Sequence, residues 1–276
     1  ESMMSGRAAR LMIGCFFLLL PSCASNWTFM VYLDGDNNLE SAAIADFNEM
    51  ELVGSDENVT ILVQIDRISG YDTSNGDWTG TRRYYVTHDT DTVTINSTLV
   101  EDLGEVNMAD PNSLVNFTVW AIENYPADHY VLVLWNHGSG WAGKAEEEFR
   151  GVPWSDEKKR EDILESPLTK GIIYDDTSGE ACLSIWELEA ALSEVYNQTS
   201  KRIDILGFDA CLMQMVEVGF QVHNYTDFIV GSEETEPGDG WEYNLILSNL
   251  TADPDMSTAE LSSVIVDKYQ ERYGTY

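Results

Sequence analysis

Two side chains suited to nucleophilic catalysis follow predicted strands of this sequence. His137 ends the apolar run "VLVLWNHG", and Cys211 follows "DILGFDA". In open parallel α/β sheets, reactive sites form at the carboxyl ends of the strands. If these two strands are neighbours, the thiol and the imidazole meet at one edge of the sheet. A thiolate could then attack a carbonyl while the imidazole acts as general acid and base.

The residues around this pair extend the same hypothesis. The segment "LMQMVEVGF", residues 212–220, predicts a helix whose N-terminus would favour the thiolate form of Cys211. The backbone N–H groups of Gly138 and Cys211 would donate to a developing oxyanion. Gly138 and Gly140 would let the backbone approach a substrate closely. Together these features predict an acyl transfer site.

A disulfide is the ordinary alternative for two cysteines in an exported protein. Cys15 and Cys23 belong to a signal region, so Cys182 and Cys211 remain for the mature domain. A bridge between these two would remove the nucleophile. The sequence offers no H-E-x-x-H spacing among its four histidines, which disfavours a metallohydrolase.

The elements that must position these residues alternate between strands and helices. Apolar strand runs lie in "WTFMVYLDG", "NVTILVQIDR", "HYVLVLW", "RIDILGF" and "DFIVG", with helical spacing between several of them. We therefore predict an α/β fold with a mainly parallel central β-sheet flanked by helices on both faces. The segments "TRRYYVTHD" and "DTVTINSTLV" alternate like the two arms of a hairpin. Ser184 and Glu187 predict a capping box at a helix start, and Asn38 is the predicted cap of the first helix.

Composition and the N-terminal residues limit the function further. The formal net charge of -33 would repel phosphate backbones, which excludes nucleic acid as an expected partner. Residues 1–25 read as an export signal, and "LPSC" ending at Cys23 suggests a lipoprotein box that would anchor the chain. We expect one domain over residues 26–276, an exposed charged loop at 142–171, and a longer natural protein, because the chain ends inside a predicted helix. Seven N-x-S/T sequons suggest a glycoprotein; they begin at Asn26, Asn58, Asn96, Asn116, Asn197, Asn224 and Asn249.

Five segments together resemble the clostripain family of cysteine peptidases, which shares a clan with caspases, legumains and gingipains. They run in order from residue 27 to residue 243: "WTFMVYLDGDNNLE", "VLVLWNHGSGW", "DDTSGEACLSIWELEAAL", "ILGFDACLMQMVEV" and "ETEPGDGWEY". The resemblance implies a caspase-like fold and a secreted or cell-surface cysteine endopeptidase that cleaves proteins or peptides after Arg or Lys. It places the family histidine at His137 and the nucleophile at Cys211.

The resemblance also implies roles for acidic and basic residues. The aspartate of its "DAC" motif, Asp209, is associated with the pocket for the basic P1 side chain, and Asp239 in "EPGDGW" is a second candidate for that pocket. Relatives mature by cutting themselves at a basic residue between the histidine and cysteine segments, so we expect self-cleavage within residues 144–170.

Calcium enters only as an optional ligand. The resemblance implies no required cofactor, although Ca²⁺ is reported for some relatives. "DGDNN" from Asp34 opens like a calcium loop, but Ala45 stands where the bidentate Glu belongs.

We expect a monomer. The alternative from another class is a catalytically silent surface binding module on the same fold, which would have no need of His137, Cys211 and Asp209 together.

Overall fold

The computed structural model describes residues 25–141, 171–179 and 181–274. Its strands are β1 (Ser25–Gly35), β2 (Val59–Arg67), β3 (Gly80–Tyr85), β4 (Thr98–Gly104), β5 (Ala127–Trp135), β6 (Ile172–Asp175), β7 (Ala181–Leu183), β8 (Ile203–Asp209) and β9 (Thr226–Val230). Its helices are α1 (Glu40–Glu51), α2 (Pro111–Asn124), α3 (Ile185–Thr199), α4 (Val216–Val222), α5 (Tyr243–Ala252) and α6 (Thr258–Tyr273). No helix in these residues has the length and apolarity needed to span a membrane. Residues 1–24 of the predicted export signal and residues 142–170 of the predicted charged loop, which contain the predicted cleavage segment 144–170, lie outside the described residues.

Seven strands form the central sheet, in the order β4-β3-β2-β1-β5-β8-β9. Strands β2, β1, β5, β8 and β9 run parallel to their neighbours in this series. Strand β3 is antiparallel to β2, and β4 is antiparallel to β3, so β4 points the same way as the parallel strands. The carboxyl ends of every strand in this sheet except β3 therefore lie at one edge.

Both faces of the sheet are covered, and β1 shows how the sequence achieves this. Alternate residues of a strand point to opposite faces. Met30 and Tyr32 join a core that includes residues of α2, α3 and α4, whereas Phe29 and Val31 join a second core with α1, α5 and α6. Because both faces are buried, the strand is a continuous apolar run. The predicted mainly parallel sheet with helices on both faces is confirmed.

Two local predictions differ from the structure. The second arm of the predicted hairpin covers residues 91–100, but β4 spans 98–104. Asp91 explains part of this shift, because its Oδ1 accepts the N–H groups of Val93 and Thr94 and so offers the backbone a turn instead of a strand. The cap of α1 is Leu39, not Asn38, and no side chain caps that helix. The capping box of Ser184 and Glu187 is confirmed at the start of α3.

A small antiparallel sheet of β6 and β7 was not predicted from the sequence. Ile172 of β6 also forms an isolated bridge with Gly138, and Ser139 N–H donates to the carbonyl of Gly171 at 3.1 Å. This sheet therefore supports the segment that carries His137.

The packing of β8 against the Trp241 ring generates a stability prediction. A Cβ added at Gly207 would lie 2.9 Å from the Trp241 ring and 3.2 Å from Val133 Cγ2. We expect Gly207→Ala to lower the free energy of unfolding by about 1–3 kcal/mol, because the buried ring has to shift. Urea unfolding measures this change.

Gly219 in α4 is the matched control. A Cβ there meets only Ile229 Cδ1, at an ordinary 3.6 Å. Gly219→Ala should raise stability by about 0.5–1 kcal/mol, because alanine favours a helix over glycine. Equal stabilities for the two variants would contradict the close contact at Gly207.

Candidate active site

His137 and Cys211 are brought together by the pairing of β5 with β8. The two strands are parallel neighbours, with Trp135 opposite Asp209 at their carboxyl ends. His137 and Cys211 each lie two residues beyond this last pair, so they emerge at the same level of the sheet edge. Both line one cavity of ≈ 90 Å³, together with Leu39, Trp135, Asn136, Asp209, Ala210, Glu236, Pro237, Gly238 and Gly240.

The imidazole of His137 is oriented by Asn38. His137 Nε2 lies 2.8 Å from Asn38 Oδ1. An amide oxygen can only accept, so Nε2 carries the hydrogen and Nδ1 carries the free lone pair. Burial lowers the pKa of His137, while Asp176 opposes that shift. The ring is therefore a neutral base at neutral pH.

The thiol of Cys211 is held by the backbone of the loop that follows β9. Glu236 N–H donates to Cys211 Sγ at 3.2 Å. This contact holds the sulfur at the wall of the cavity. Sequence reasoning did not identify Glu236, since "EETEP" reads only as an acidic loop.

The helix predicted directly after Cys211 is absent at that position. Leu212 has a φ of 65°, its N–H donates to the carbonyl of Glu234 at 3.0 Å, and the N–H of Gln214 donates to the carbonyl of Ser232 at 2.9 Å. These bonds to a neighbouring loop replace the first turn, and α4 begins at Val216. The prediction that Cys211 lies at the N-terminus of a helix was therefore wrong, and the backbone group that contacts its sulfur is the N–H of Glu236.

Both cysteines in the described residues are free thiols, so the alternative of a Cys182–Cys211 disulfide is not formed. Cys182 lies in β7 opposite Tyr174. Burial raises the pKa of the Cys182 thiol to about 11, which makes it a protonated packing residue.

Gly138 and Cys211 lie in direct backbone proximity. A Cβ added at Gly138 would come within 2.4 Å of the Cys211 carbonyl oxygen and 2.9 Å of Met213 Cγ. Only glycine fits this position. The oxyanion role of these two residues stays a prediction, and their proximity is what that role requires.

Two buried carboxylates form part of the cavity wall beside Cys211. Asp209 Oδ2 accepts from Trp241 N–H at 3.1 Å and from the Tyr243 hydroxyl at 2.9 Å. Its carboxyl is also hydrogen-bonded to that of Glu236, and Glu236 Oε2 is buried with no partner among the described residues. Burial raises the pKa of both acids, and for Glu236 the neighbouring Asp209 adds to the rise.

Asp239, the other candidate for the substrate pocket, points elsewhere. Its side chain is 80% exposed and lies 3.7 Å from the guanidinium of Arg272. It is not among the residues that line the cavity. The neighbouring acid that does line it is Glu236.

Comparisons with known proteins identify relatives of this chain. The model of the clostripain family matches residues 31–167 and 154–276, which is most of the sequence. The chain belongs to the clostripain family of cysteine peptidases. It is 30% identical to clostripain of Hathewaya histolytica, over 82% of this chain and 42% of that protein.

Solved structures of the family confirm the caspase-like fold. A secreted C11 cysteine protease of Bacteroides thetaiotaomicron, in complex with an irreversible peptide inhibitor, matches with a TM-score of 0.64 and 26% identity over 91% of this chain and 59% of that one. An inactive zymogen of a C11 protease from Parabacteroides distasonis matches in fold with a TM-score of 0.59, at 22% identity, over 91% of this chain and 59% of that one. The chain thus spans about half the length of these relatives.

The contact between Asn38 and His137 generates a titration prediction. We expect the pKa of His137 to lie below the ordinary value of 6.5 in the unchanged protein. Asn38→Asp should raise it, because a carboxylate at Nε2 favours the imidazolium. NMR titration of the imidazole resonances measures both values.

Asn124→Ala serves as the control for this titration. The Asn124 side chain donates to the Trp120 carbonyl at the end of α2 and does not line the cavity. A His137 pKa that is the same in Asn38→Asp as in Asn124→Ala would show that Asn38 does not contact the imidazole.

Proposed function

We propose that this chain carries the catalytic domain of an exported cysteine endopeptidase that cleaves after Arg or Lys. The observation that supports it best is the composition of one cavity. His137 and Cys211 line this cavity together with Asp209 and Glu236. Hydrolysis next to a basic side chain requires a nucleophile and a base for the reaction, and buried negative charge to pair with that side chain. This cavity offers all three.

The chemistry follows from the positions of the two reacting groups. Cys211 Sγ transfers its proton to His137 Nδ1 and attacks the scissile carbonyl, forming a C–S bond and an oxyanion. The N–H groups of Gly138 and Cys211 stabilise that oxyanion. When the C–N bond breaks, His137 returns the proton to the leaving amine, and an acyl-enzyme remains. Water, deprotonated by His137, then hydrolyses the thioester and restores the thiol.

Specificity for a basic P1 residue rests on the Asp209 and Glu236 pair. Both carboxyls are largely buried, and this burial holds their pKa values above the ordinary range; for Glu236 the charge of Asp209 adds to the rise. A guanidinium or ammonium that enters the cavity supplies the missing counter-charge and a partner for Glu236 Oε2. A neutral or acidic P1 side chain offers neither.

Export is the third part of the proposal. The predicted signal in residues 1–25 supports it, and the similar Bacteroides thetaiotaomicron protease is described as secreted. Lipid attachment at Cys23 would place the peptidase at the cell surface, and cleavage without lipid would release it.

A set of P1 isosteres tests the peptidase and its pocket together. We expect hydrolysis of fluorogenic peptides with Arg or Lys at P1, and none with citrulline, the neutral isostere of Arg, or with Asp. Asp209→Asn and Glu236→Gln should each lower kcat/KM for the basic peptides by about 10- to 100-fold, because each removes a charged partner of P1. Cys211→Ala should abolish hydrolysis.

Asp227→Asn is the matched control for a lost carboxylate, since Asp227 lies in β9 and pairs with Arg202 at 2.8 Å. Equal cleavage of the Arg and citrulline peptides would refute the charged pocket while leaving the peptidase in place. Absence of hydrolysis from the full-length gene product under reducing conditions would instead favour the silent binding module.

Self-cleavage is the remaining part of the proposal. We expect active protein to be cut once or more between residues 144 and 170, where the basic residues are Lys144, Arg150, Lys158, Lys159, Arg160 and Lys170. Mass spectrometry of the purified chain would locate the cut, and Cys211→Ala should stay intact. An uncut chain with full activity would rule out processing as a requirement.

A further inference from the structure

The peptide unit between Gly240 and Trp241 lies against the Asp209 carboxylate in the cavity wall. Trp241 N–H donates to Asp209 Oδ2 at 3.1 Å. The backbone comes equally close, because a Cβ added at Gly240 would lie 2.8 Å from the same oxygen. Asp209 and Trp241 are both buried, so water does not replace this hydrogen bond. The orientation of one peptide unit therefore fixes a partner of the carboxylate that the proposed P1 pocket needs.

Tyr273, at the end of α6, holds the other side of this peptide unit. Its hydroxyl donates to the Gly240 carbonyl at 2.9 Å. The peptide is trans and planar, so the carbonyl of Gly240 and the N–H of Trp241 point in opposite directions. A hydrogen bond that fixes the carbonyl thus also fixes the direction of the N–H. The two bonds form a chain from the Tyr273 hydroxyl to Asp209, in which each bond strengthens the next.

The hydroxyl of Tyr273 is placed for this donation by the packing of its ring. That ring lies 4.7 Å from the ring of Tyr269, one turn earlier in α6, and Tyr269 packs against the core that contains residues of α1, α5 and α6. Burial raises the pKa of the Tyr273 hydroxyl, so the group keeps its proton at neutral pH. It is therefore a constant donor to the loop.

Arg272, the residue before Tyr273, anchors the same loop on both sides of the peptide. Its guanidinium lies 2.5 Å from Glu242 Oε1 and 3.7 Å from Asp239 Oδ2. These two acids flank the Gly240–Trp241 peptide in the chain. The last turn of α6 thus holds the loop at three points. Of these three, the Tyr273 contact is the one made to the peptide that faces Asp209.

We propose that Tyr273 is a positioning residue for the recognition of a basic P1 side chain, acting on Asp209 through the Gly240–Trp241 peptide. This inference rests on the proposed function, which assigns Asp209 to the P1 pocket. Tyr273 does not line the cavity, whereas Gly240 and Asp209 do. Without the hydroxyl, the peptide is free to turn, and the Trp241 N–H is no longer held toward the carboxylate. Because that N–H favours the charged form of Asp209, its loss weakens the attraction for a cation.

Tyr273→Phe tests this role, because it removes the hydroxyl and keeps the ring. With the full chain and a fluorogenic Arg peptide, we expect KM to rise by about 3- to 10-fold, the effect of losing one neutral hydrogen bond. The value of kcat should stay within about twofold, because the contact with P1 is the same in the ground state and the transition state. Benzamidine, an amidinium that occupies only the P1 pocket, should show the same rise in Ki. The rate at which iodoacetamide alkylates Cys211 should not change.

Two further variants separate this role from ordinary packing. In the Asp209→Asn background, Tyr273→Phe should have no further effect on KM or Ki, because the two residues act through one path. Tyr196→Phe is the matched control for a lost hydroxyl. Tyr196 is 44% exposed and lies in α3, which packs on the opposite face of the sheet, so this variant should keep the parent KM.

Failure of the role of Tyr273 differs in its readout from failure of the peptidase proposal. Parent values of KM and Ki in Tyr273→Phe would overturn the role and leave the peptidase in place, as would an equal loss in the Asp209→Asn background. An alkylation rate that falls by the same factor would also overturn it, because the whole site would then be disturbed. A parent protein that cleaves no Arg peptide would refute the proposed function itself, and the role of Tyr273 with it.

Discussion

The arrangement of the site depends on the hydrogen bonds of the Asn136 side chain. Its Nδ2 donates to the carboxylate of Asp34 at 2.7 Å and to the backbone carbonyl of Asp34 at 2.9 Å, and it also reaches the carbonyl of Tyr174 at 3.2 Å. Its Oδ1 accepts the N–H of His137. Asn136 is buried, so water cannot pair with its polar atoms. These hydrogen bonds therefore avoid the cost of leaving buried polar groups unsatisfied. One carboxamide thus joins the end of β1, the end of β5 and β6.

Acidic side chains lie on both sides of Asn136, at the edge of the sheet where the parallel strands end. On one side, Asp209 and Glu236 share the cavity with the thiol. On the other, Asp36, Asp66, Glu105 and Asp175 each place a carboxylate oxygen within 4.8 Å of the other three. Burial of carboxylates in such numbers costs stability unless a cation or a proton compensates their charge.

The surroundings of the Cys211 thiol are set by a loop rather than by a helix N-terminus. The N–H of Glu236 contacts Cys211 Sγ, and burial keeps His137 neutral and able to accept a proton. Glu236 makes two contacts at the cavity, since its backbone N–H donates to Cys211 Sγ and its side chain is hydrogen-bonded to Asp209.

The sequence by itself determined the parallel strands, their burial on two faces and the positions of His137 and Cys211 after strand ends, because apolar periodicity and strand-end position are local signals. That the two residues meet depended on β5 and β8 being neighbours, which only the tertiary structure decided. The sequence did not determine that Asn38 orients the imidazole, that Glu236 replaces Asp239 in the cavity wall, or that α4 begins five residues after Cys211. Each of these depends on a hydrogen bond to a segment distant in the chain, such as the bond from Leu212 to Glu234. The carboxylates of Asp36, Asp66, Glu105 and Asp175 are the extreme case, because these residues come from four separate segments and only the order and direction of the strands brings them together.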